Sequence, residues 1–460
     1  MKTHMKPLVL FLPTRNFMLL FENLKLRKDP FAGGIQNIDG KVVTIRSEIQ
    51  EQWATLYEEL YNDDYTPIPV DDSCDPNIPE ITNSEIEHHI KLLKNGKSAG
   101  LDNIYSEYLK AGGEHIISAL HILFNIIIKT NTVPSSFKKA LIVVIFKKGM
   151  RTECKNYRPI SLLSHIYKLF TSIISTRVKN DLYSSLPHSQ AAYQPNRGTT
   201  EQIFALEQII EKSIEFNNPV HILFIDFTKA FDSITLSSLW ALLEKTSINK
   251  RYINLLQSTY NGSESAIKTD IGVSRFVKIL KGVKQGDILA AILFCIIVAS
   301  IILLSEEECD TGFSIGGQIL SNLSYADDIA AMSHNRVMLQ KFIDALSKHA
   351  KNVGLSINIS KTKCMTTDKI DKKLSLTIYD QPIDQVTQFV YLGHKLSSIN
   401  DNYISVEHRL ALGWSAFSKH KDLLTSSRIP YHIKAKIYKT YMFYHSSSMD
   451  LIVLSGIKHS

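Results

Sequence analysis

The stretch HILFIDFTKAFDSI, residues 221–234, places a carboxylate at the end of a short apolar run. Residues 221–225 have strand length and β-branched or aromatic character, and Asp226 follows them directly. A second stretch, LSYADDIAAM at residues 323–332, sets Asp327 beside Asp328 between two apolar halves, which predicts a hairpin. Adjacent carboxylates in an apolar hairpin are costly unless a cation neutralises them. Hard oxygen ligands of this kind favour Mg²⁺.

These three carboxylates together indicate a specific chemistry. Such a set can hold two metal ions about 3.5 to 4 Å apart, one activating an attacking 3′-hydroxyl and the other steadying a leaving pyrophosphate. Either stretch alone is equally typical of an exposed acidic turn. Because Asp226 and the Asp327–Asp328 pair occur in this order, about 100 residues apart, we interpret them as a nucleotidyl-transfer site.

Composition sets the broad class. The chain has 460 residues, 44% hydrophobic and 21% charged, which is typical of a globular protein with two or three packed domains. Lys and Arg number 52 against 45 Asp and Glu, and the net charge of +7 permits a polyanionic partner without requiring one. The five cysteines form no CxxC pair, which argues against a zinc knuckle or a disulfide framework. We therefore expect an intracellular protein, nuclear or cytoplasmic.

Two apolar runs bear on membrane association. The run at residues 8–12 follows Lys2 and Lys6, but Pro13 interrupts it and no small-residue cleavage site follows, so it is a poor secretory signal. The run at residues 290–304 is shorter than a typical membrane-spanning helix, and it predicts a buried core helix. We expect neither secretion nor a membrane partner.

Apolar spacing predicts mixed helices and strands, an α+β or α/β class. Trp53 and Tyr57 recur at helical spacing within a helix predicted at residues 49–60. The proline-rich stretch 66–79 predicts a linker, and a residue among 82–84 is expected to cap the next helix. Further strands are predicted at 141–146 and 221–225, and further helices at 160–178 and 201–214.

A series of motifs extends this pattern along the chain. They are KNGKSAGLDNI (94–104), VIFKKGMRTECKNYRPISLLSHIYKLF (144–170), QAAYQPNRGTTEQIF (190–204), LFIDFTKAFDSI (223–234), GVKQGDILAAILF (282–294), SYADDIAAM (324–332), GLSINISKTK (354–363) and FVYLGHKL (389–396). In this order they resemble the reverse transcriptases of non-LTR retrotransposons, the jockey-like group in particular, over residues 80–440. YRPISL, QGD and YADD together make the resemblance specific.

The resemblance implies a right-hand polymerase of fingers, palm and thumb with a helical N-terminal extension. The implied boundaries place an extension and linker at 1–79, a helical segment before the fingers at 80–129, fingers and palm at 130–396, and a partial or truncated thumb at 397–460. The implied function is RNA-directed DNA polymerisation with Mg²⁺ (two ions; Mn²⁺ possible), using an RNA template, a DNA primer and deoxynucleoside triphosphates. No protein partner is implied.

The resemblance also implies roles for residues that surround the reaction. Metal binding falls to Asp226, Asp327, Asp328 and the backbone carbonyl of Phe227. Four residues hold the incoming nucleotide: Lys147, Arg158, Gln285 and Gly286. The positive charges of Lys147 and Arg158 pair with its phosphates. Protonation of the leaving group falls to Lys361 and, less closely matched, Lys363. The primer grip comprises Tyr391, Leu392 and Gly393. Lys148 and Arg151 are expected to be solvated surface charges.

Phe231 distinguishes two polymerase classes. It lies five residues after Asp226, where reverse transcriptases resemble one another in carrying a bulky aromatic that excludes a ribose 2′-hydroxyl. RNA-dependent RNA polymerases typically have an acidic residue at that spacing. The product is therefore expected to be DNA. Asp232, one residue later, is expected to cap or orient the following helix.

The sequence departs from the family pattern in places, and alternatives remain open. Ile288 stands where the family usually has Pro, and Ala290-Ala291 replace small polar and Pro residues. An upstream endonuclease does not fit in the first 80 residues, and the match ends after Tyr441, as in a truncated copy. One alternative is a group II intron-like reverse transcriptase, whose intron-binding module should follow the thumb. Another is a catalytically inactive relic that only binds nucleic acid.

Overall fold

The computed structural model describes residues 34–37, 40–67, 78–147, 149–269, 272–309, 311–315, 317–369 and 373–443. The apolar run at 8–12, residue Lys148, most of the linker predicted at 66–79 and the tail beyond residue 443 lie outside the described residues. Within them, helices alternate with two five-stranded sheets and several short ribbons, which confirms the α+β class.

The first half of the chain is mainly helical before the sheets begin. Its elements are β1 (Ile35–Gln36), β2 (Val42–Val43), α1 (Arg46–Tyr61), α2 (Asn83–Leu92), α3 (Ser106–Ala111), α4 (Gly113–Thr130), α5 (Ser135–Lys138), β3 (Lys139–Phe146), β4 (Tyr157–Leu162), α6 (His165–Ser184), α7 (Thr199–Glu215), β5 (His221–Ile225), α8 (Ala230–Ser233), α9 (Leu236–Leu243) and α10 (Lys250–Tyr260).

The second half supplies the remaining strands and the C-terminal helices. Its elements are β6 (Glu264–Thr269), β7 (Gly272–Val273), β8 (Val277–Lys278), α11 (Ile288–Glu307), β9 (Phe313–Ile315), β10 (Gln318–Leu320), β11 (Asn322–Tyr325), β12 (Asp328–Ser333), α12 (Arg336–Asn352), β13 (Lys363–Thr366), β14 (Thr377–Ile378), β15 (Gln381–Pro382), β16 (Asp384–Gln385), β17 (Gln388–Tyr391), β18 (His394–Ser397), α13 (Asn402–Thr425) and α14 (Tyr431–Tyr438).

Strand β5 is the centre of the larger sheet, whose order is β11-β12-β5-β13-β16. Because side chains alternate along a strand, Leu223 and Ile225 face one hydrophobic core while Ile222 and Phe224 face another. Helices α11 and α12 cover the first face, and α7 covers the second. A sheet covered on both faces needs a continuous apolar strand at its centre, which explains the run that precedes Asp226.

Helix α11 is the apolar run noted in the sequence. Among the described residues, one helix is long and apolar enough to cross a bilayer, and its window Leu289–Glu307 has a mean hydropathy of 2.6. That window is 78% buried, and the helix packs against α6 and α12. The prediction of a buried core helix is confirmed.

The smaller sheet has the order β4-β3-β6-β7, with β8 also paired to β6. The helix predicted at 160–178 is wrong at its start, because β4 pairs with β3 along its whole length and α6 begins only at His165. Pro159 lacks the N–H that a helix interior needs, and the Ser164 side chain caps α6 by accepting from Ile166 N and Tyr167 N.

The N-terminal helices share cores with the sheets. In α1, Trp53 and Tyr57 are buried against Ile142 and Ile267 of the smaller sheet, as the helical spacing predicts. Helix α2 begins with a capping box in which Thr82 and Glu85 satisfy each other's backbone N–H groups, which confirms the cap expected there. Helix α1 is therefore packed onto the smaller sheet.

Candidate active site

Strand register brings the three predicted carboxylates to one end of the larger sheet. Ile225 at the end of β5 pairs with Ile329 of β12, so Asp226 and Asp328 are neighbours across the ladder. Tyr325 pairs with Asp328 across the β11–β12 turn, which contains Asp327. The stretches that are about 100 residues apart in sequence therefore meet at a single edge.

The carboxylates interact strongly with one another. Burial, followed by the charges of Asp327 and Asp226, raises the pKa of Asp328 to about 6. Burial and Asp226 also raise the pKa of Asp327, while Arg158 and Lys361 act in the opposite direction. Partly buried acids that repel one another form a site in which an added cation is strongly favoured.

Lys361 supplies one positive charge to this cluster. Its Nζ lies 2.8 Å from Asp226 Oδ2. In the part of the chain that the structure describes, no three His, Cys, Asp or Glu side chains surround a common point that could hold a metal ion. The donor set nevertheless fits Mg²⁺, because it consists of hard carboxylate oxygens with an excess of negative charge.

The segment that carries Lys361 is fixed to the strand that carries Asp226. Thr228 N donates to Ser356 O at 2.9 Å, Asn358 N donates to Asp226 O at 2.8 Å, and Phe227 bridges Ile357. Lys363 differs from its expected role, because its Nζ donates to Ser360 O and Asp384 Oδ2, both at 2.6 Å. Lys363 is held at the far side of the sheet by β16, and it does not join the carboxylate cluster.

Gln190 holds the hairpin turn at Ala326, directly before Asp327 and Asp328, a role that sequence reasoning missed. Its side chain is 1% exposed, and its Oε1 accepts from Ala326 N at 2.9 Å and from Ala192 N at 3.1 Å. Its Nε2 donates to Ala326 O at 3.3 Å. Ala326 has a φ of 56°, a left-handed conformation that costs a non-glycine residue energy. The amide thus grips both backbone polar groups of the strained residue.

The two residues predicted to bind phosphate lie just after β3 and on β4. Lys147 follows β3 directly and donates its backbone N–H to Asn156 O at 2.8 Å. Arg158 pairs with Ile145 across the ladder, and its charge lowers the pKa of Asp327. Both Lys147 and Arg158 are exposed, and the influence of Arg158 on Asp327 places its charge near the carboxylates.

The side chains of Phe231 and Asp232, both on the short helix α8, contact different parts of the structure. The Phe231 ring stacks on Phe294 of α11, with centroids 4.2 Å apart and planes 14° apart. The expectation that Asp232 caps the following helix is wrong, because Thr235 occupies that position and Asp232 is only 5% exposed. Asp232 instead accepts hydrogen bonds from Tyr61 and Gln285 in the interior.

The loop that carries Gln285 packs closely on both α8 and β4. Gln285 Nε2 donates to both carboxylate oxygens of Asp232, each at 3.0 Å. Gly286 has a φ of 106°, and a Cβ there would lie 3.1 Å from Ser161 O. Any residue other than glycine would therefore be strained at this position. Hydrogen bonds to Asp232 and the close approach to β4 thus set the positions of the two residues that are predicted to line a nucleotide pocket.

The predicted primer grip is a hairpin beside the carboxylates. Tyr391 is 2% exposed, and its hydroxyl donates to Leu323 O at 3.1 Å. Leu392 and Gly393 form the turn between β17 and β18 with φ values of 49° and 83°. Burial, followed by the charge of Asp328, raises the pKa of Tyr391, which places the hairpin near the catalytic edge.

Comparison with known proteins agrees with this geometry. The family model described as reverse transcriptase (RNA-dependent DNA polymerase) matches residues 145–396, which include all three carboxylates. The chain belongs to the reverse transcriptase family. This membership confirms the right-hand polymerase fold, and reverse transcriptases generally use divalent metals and bind an RNA template with a primer.

Individual relatives place the chain among the non-LTR retrotransposon enzymes. It is 27% identical over 378 residues to the probable RNA-directed DNA polymerase from transposon BS of Drosophila melanogaster, covering 79% of this chain and 39% of the relative. It is 25% identical over 393 residues to the RNA-directed DNA polymerase from mobile element jockey of Drosophila funebris, covering 81% and 41%. The resemblance to the jockey-like group is confirmed.

The extent of the match and a similar solved structure complete these comparisons. The chain spans about two fifths of the length of the curated relatives just named. Among solved structures, an apo telomerase from Candida tropicalis, truncated from its C-terminal domain, is similar with a TM-score of 0.41 and 15% identity, over 58% of this chain and 55% of the telomerase chain.

Proposed function

We propose that this chain is an RNA-directed DNA polymerase that adds deoxynucleotides to a primer 3′-hydroxyl by two-metal nucleotidyl transfer. The observation that carries the proposal is the meeting of Asp226, Asp327 and Asp328 at one sheet edge, with Arg158 and Lys361 facing them. Family membership supports the reaction class, and an aromatic residue at Phe231 supports DNA as the product.

In the proposed site, Asp226, Asp327, Asp328 and the carbonyl of Phe227 would hold two Mg²⁺ ions, with Mn²⁺ as a substitute. When bound, these ions supply Lewis acidity to the attacking hydroxyl and to the leaving pyrophosphate. The pKa values of Asp327 and Asp328 are raised by burial and mutual repulsion, so both acids release a proton most readily when positive charge is added beside them.

Residues around the carboxylates have complementary tasks in the proposal. Lys147 and the forked guanidinium of Arg158 bind the triphosphate of the incoming nucleotide. Lys361, at 2.8 Å from Asp226, is placed to donate its Nζ proton to the departing pyrophosphate oxygen. Phe231 blocks a ribose 2′-hydroxyl, and Gln285 with Gly286 lines the nucleotide pocket. Tyr391, Leu392 and Gly393 hold the primer end near the acids.

The proposed partners are an RNA template, a DNA primer and deoxynucleoside triphosphates, and the proposed location is intracellular, nuclear or cytoplasmic. The location is supported by the cysteines that the structure describes, since Cys154, Cys295, Cys309 and Cys364 all carry free thiols. Unpaired thiols suit a reducing compartment.

Primer extension on a defined RNA template tests the proposal. The parent chain should extend a DNA primer with deoxynucleotides when Mg²⁺ is present, and Asp226→Asn should abolish extension because one of the metal-binding carboxylates is lost. The matched control is Asp384→Asn, which neutralises a carboxylate on β16. This is an edge strand of the same sheet, two strands away from β5. Asp384→Asn should retain parental activity.

The alternative, an inactive relic that only binds nucleic acid, gives a different pattern. In that case the parent and Asp226→Asn would both fail to extend the primer with either metal, while both would still retard a primed RNA template in a gel. Extension that is equal in the parent and in Asp226→Asn would instead show that synthesis comes from a contaminating polymerase.

A further inference from the structure

Helix α1 lies outside the residues that match the family model, yet its last residue reaches the nucleotide pocket. Tyr61 is 7% exposed, and its hydroxyl donates to Asp232 Oδ1 at 2.9 Å. Its backbone carbonyl accepts from Leu280 N at 3.1 Å, immediately before the loop that carries Gln285. One residue of the N-terminal extension therefore contacts both segments that form the pocket.

The chemistry of Asp232 makes this contact consequential. An ionised carboxylate only accepts hydrogen bonds, so the amide of Gln285 must turn its nitrogen toward Asp232, as observed at 3.0 Å to each oxygen. The amide oxygen of Gln285 then points away from Asp232. The orientation of Gln285 thus depends on Asp232 staying ionised and fixed.

Tyr61 favours that state of Asp232. Burial raises the pKa of Asp232, and the hydrogen bonds from Tyr61 and Gln285 oppose this shift. The pKa of the Tyr61 hydroxyl is itself raised far above its usual range by burial, so the hydroxyl remains a donor. Without Tyr61, protonation of Asp232 becomes easier, and a protonated acid can donate to the amide oxygen and reverse the amide of Gln285.

Helix α1 is held firmly enough to serve as a support. The rings of Trp53, Tyr57 and Tyr61 form a stacked series along the helix, with successive centroids 5.9 Å apart. On the outer face, Arg275 forms ion pairs with Glu51 at 2.8 Å and with Glu58 at 2.7 Å. Both ion pairs attach α1 to the loop between β7 and β8.

We propose that α1 is a working part of the nucleotide pocket, in which the Tyr61 hydroxyl orients the Gln285 amide through Asp232 and thereby sets the affinity for the incoming deoxynucleotide. The proposal rests on the polymerase function proposed above and deepens it. Tyr61 touches no substrate in this arrangement, so it is a positioning residue.

Single-nucleotide incorporation on a primed RNA template tests the proposal. Tyr61→Phe removes one hydroxyl and keeps the ring, and it should raise the KM for the deoxynucleotide by roughly tenfold while kcat changes little. The matched control is Tyr65→Phe, which removes a hydroxyl that accepts from Trp240 Nε1 and donates to Asn261. Tyr65→Phe should leave the KM unchanged, although both variants lose a hydroxyl from the same N-terminal segment.

A double variant shows whether Tyr61 acts through Gln285. If it does, Tyr61→Phe should have no further effect on the KM once Gln285→Ala is present, because the amide to be oriented is gone. The proposal would be overturned if the two single-variant increases in KM multiplied in the double variant. A Tyr61→Phe chain that loses thermal stability or kcat with an unaltered KM would also overturn it, since a purely structural tyrosine predicts that result.

Nucleotide binding separates failure of this proposal from failure of the proposed function. Calorimetric titration of a deoxynucleoside triphosphate into the complex of the protein with primed RNA template, blocked at the primer 3′ end, measures affinity without catalysis. A parent chain that neither binds nucleotide nor extends primers contradicts the polymerase function. An active parent whose nucleotide affinity equals that of Tyr61→Phe contradicts only the role of Tyr61.

Discussion

Removing the Gln190 amide should displace Asp327 and Asp328, because that amide holds Ala326, which directly precedes them. Gln190→Ala leaves the buried N–H groups of Ala326 and Ala192 without their acceptor. A buried unsatisfied donor costs about 1 to 3 kcal/mol, so the loss of the acceptor for both donors should lower the free energy of unfolding by about 2 to 6 kcal/mol. Once released, Ala326 can leave its strained φ of 56°. A displacement of about 1 Å at Asp327 and Asp328 should lower kcat about 10²-fold.

Ala326→Gly provides the test of this reasoning. Glycine adopts the left-handed conformation without the cost of about 1 to 2 kcal/mol that alanine bears, so adding Ala326→Gly to Gln190→Ala should restore roughly tenfold of the lost activity. Alone, Ala326→Gly should be nearly neutral, because relief of strain offsets the loss of a buried methyl group worth about 0.8 kcal/mol.

The assays are primer extension over a range of Mg²⁺ concentration and urea denaturation. The matched control is Gln202→Ala, which truncates another buried glutamine whose Nε2 donates to Ser189 O and not to the hairpin turn. Gln202→Ala should leave the Mg²⁺ dependence unchanged. The reasoning is refuted if Gln190→Ala retains full activity, or if its loss of activity is not reduced by Ala326→Gly.

Two further predictions concern the nucleotide pocket and the buried charges behind it. Phe231→Ala should admit ribonucleotides with little loss of deoxynucleotide incorporation, since only a steric block is removed; unchanged discrimination in incorporation assays would assign Phe231 to the core alone. Burial lowers the pKa of Lys284 to about 7, so between about pH 7 and 8.5 the unfolded chain retains a proton that the folded chain has released, and stability should rise with pH. Relative to Lys284→Met, the parent should gain up to about 1.4 kcal/mol of unfolding free energy per pH unit there, and parallel pH profiles in urea denaturation would contradict this.

The elements with one dominant pattern could be predicted from the sequence. Strand β5 is an unbroken apolar run because both of its faces are covered, and its observed limits, His221–Ile225, are those expected from the sequence. Helix α1 shows helical spacing of large residues, and α2 has a capping box that can be recognised from Thr82 and Glu85. In each case the local signal and the tertiary environment favour the same structure.

Strand β4 shows why other elements could not be predicted. Its sequence YRPISL is apolar in part and is continuous with a helix-like pattern, so periodicity alone extends the helix backward to residue 160. The competing information is the pairing with β3, a contact that no local pattern reveals. Pro159 was the available signal against a helix at that point.

In the candidate site, too, local signals could be recognised from the sequence, whereas long-range contacts could not. The carboxylates could be found because acids at strand ends are rare and costly, and the structure brings them together. Asp232 was assigned to a helix cap because Asp is common there, whereas its actual partners, Tyr61 and Gln285, are 171 and 53 residues away. Gln190 begins the motif QAAYQPNRGTTEQIF, but nothing local shows that its amide contacts Ala326. Long-range hydrogen bonds of buried side chains are the part that sequence patterns do not encode.

The QGD motif illustrates how these long-range bonds act together. Gln285 is held on one side by Asp232, and Asp287 is held on the other by the hydroxyls of Tyr167 at 2.8 Å and Thr171 at 3.1 Å. Asp287 also caps α11 by accepting from Leu289 N. The two ends of the loop are therefore bonded to different elements before any nucleotide arrives. Because a site that is ordered in advance loses less entropy when its ligand binds, these buried bonds would favour tight and selective binding in the proposed nucleotide pocket.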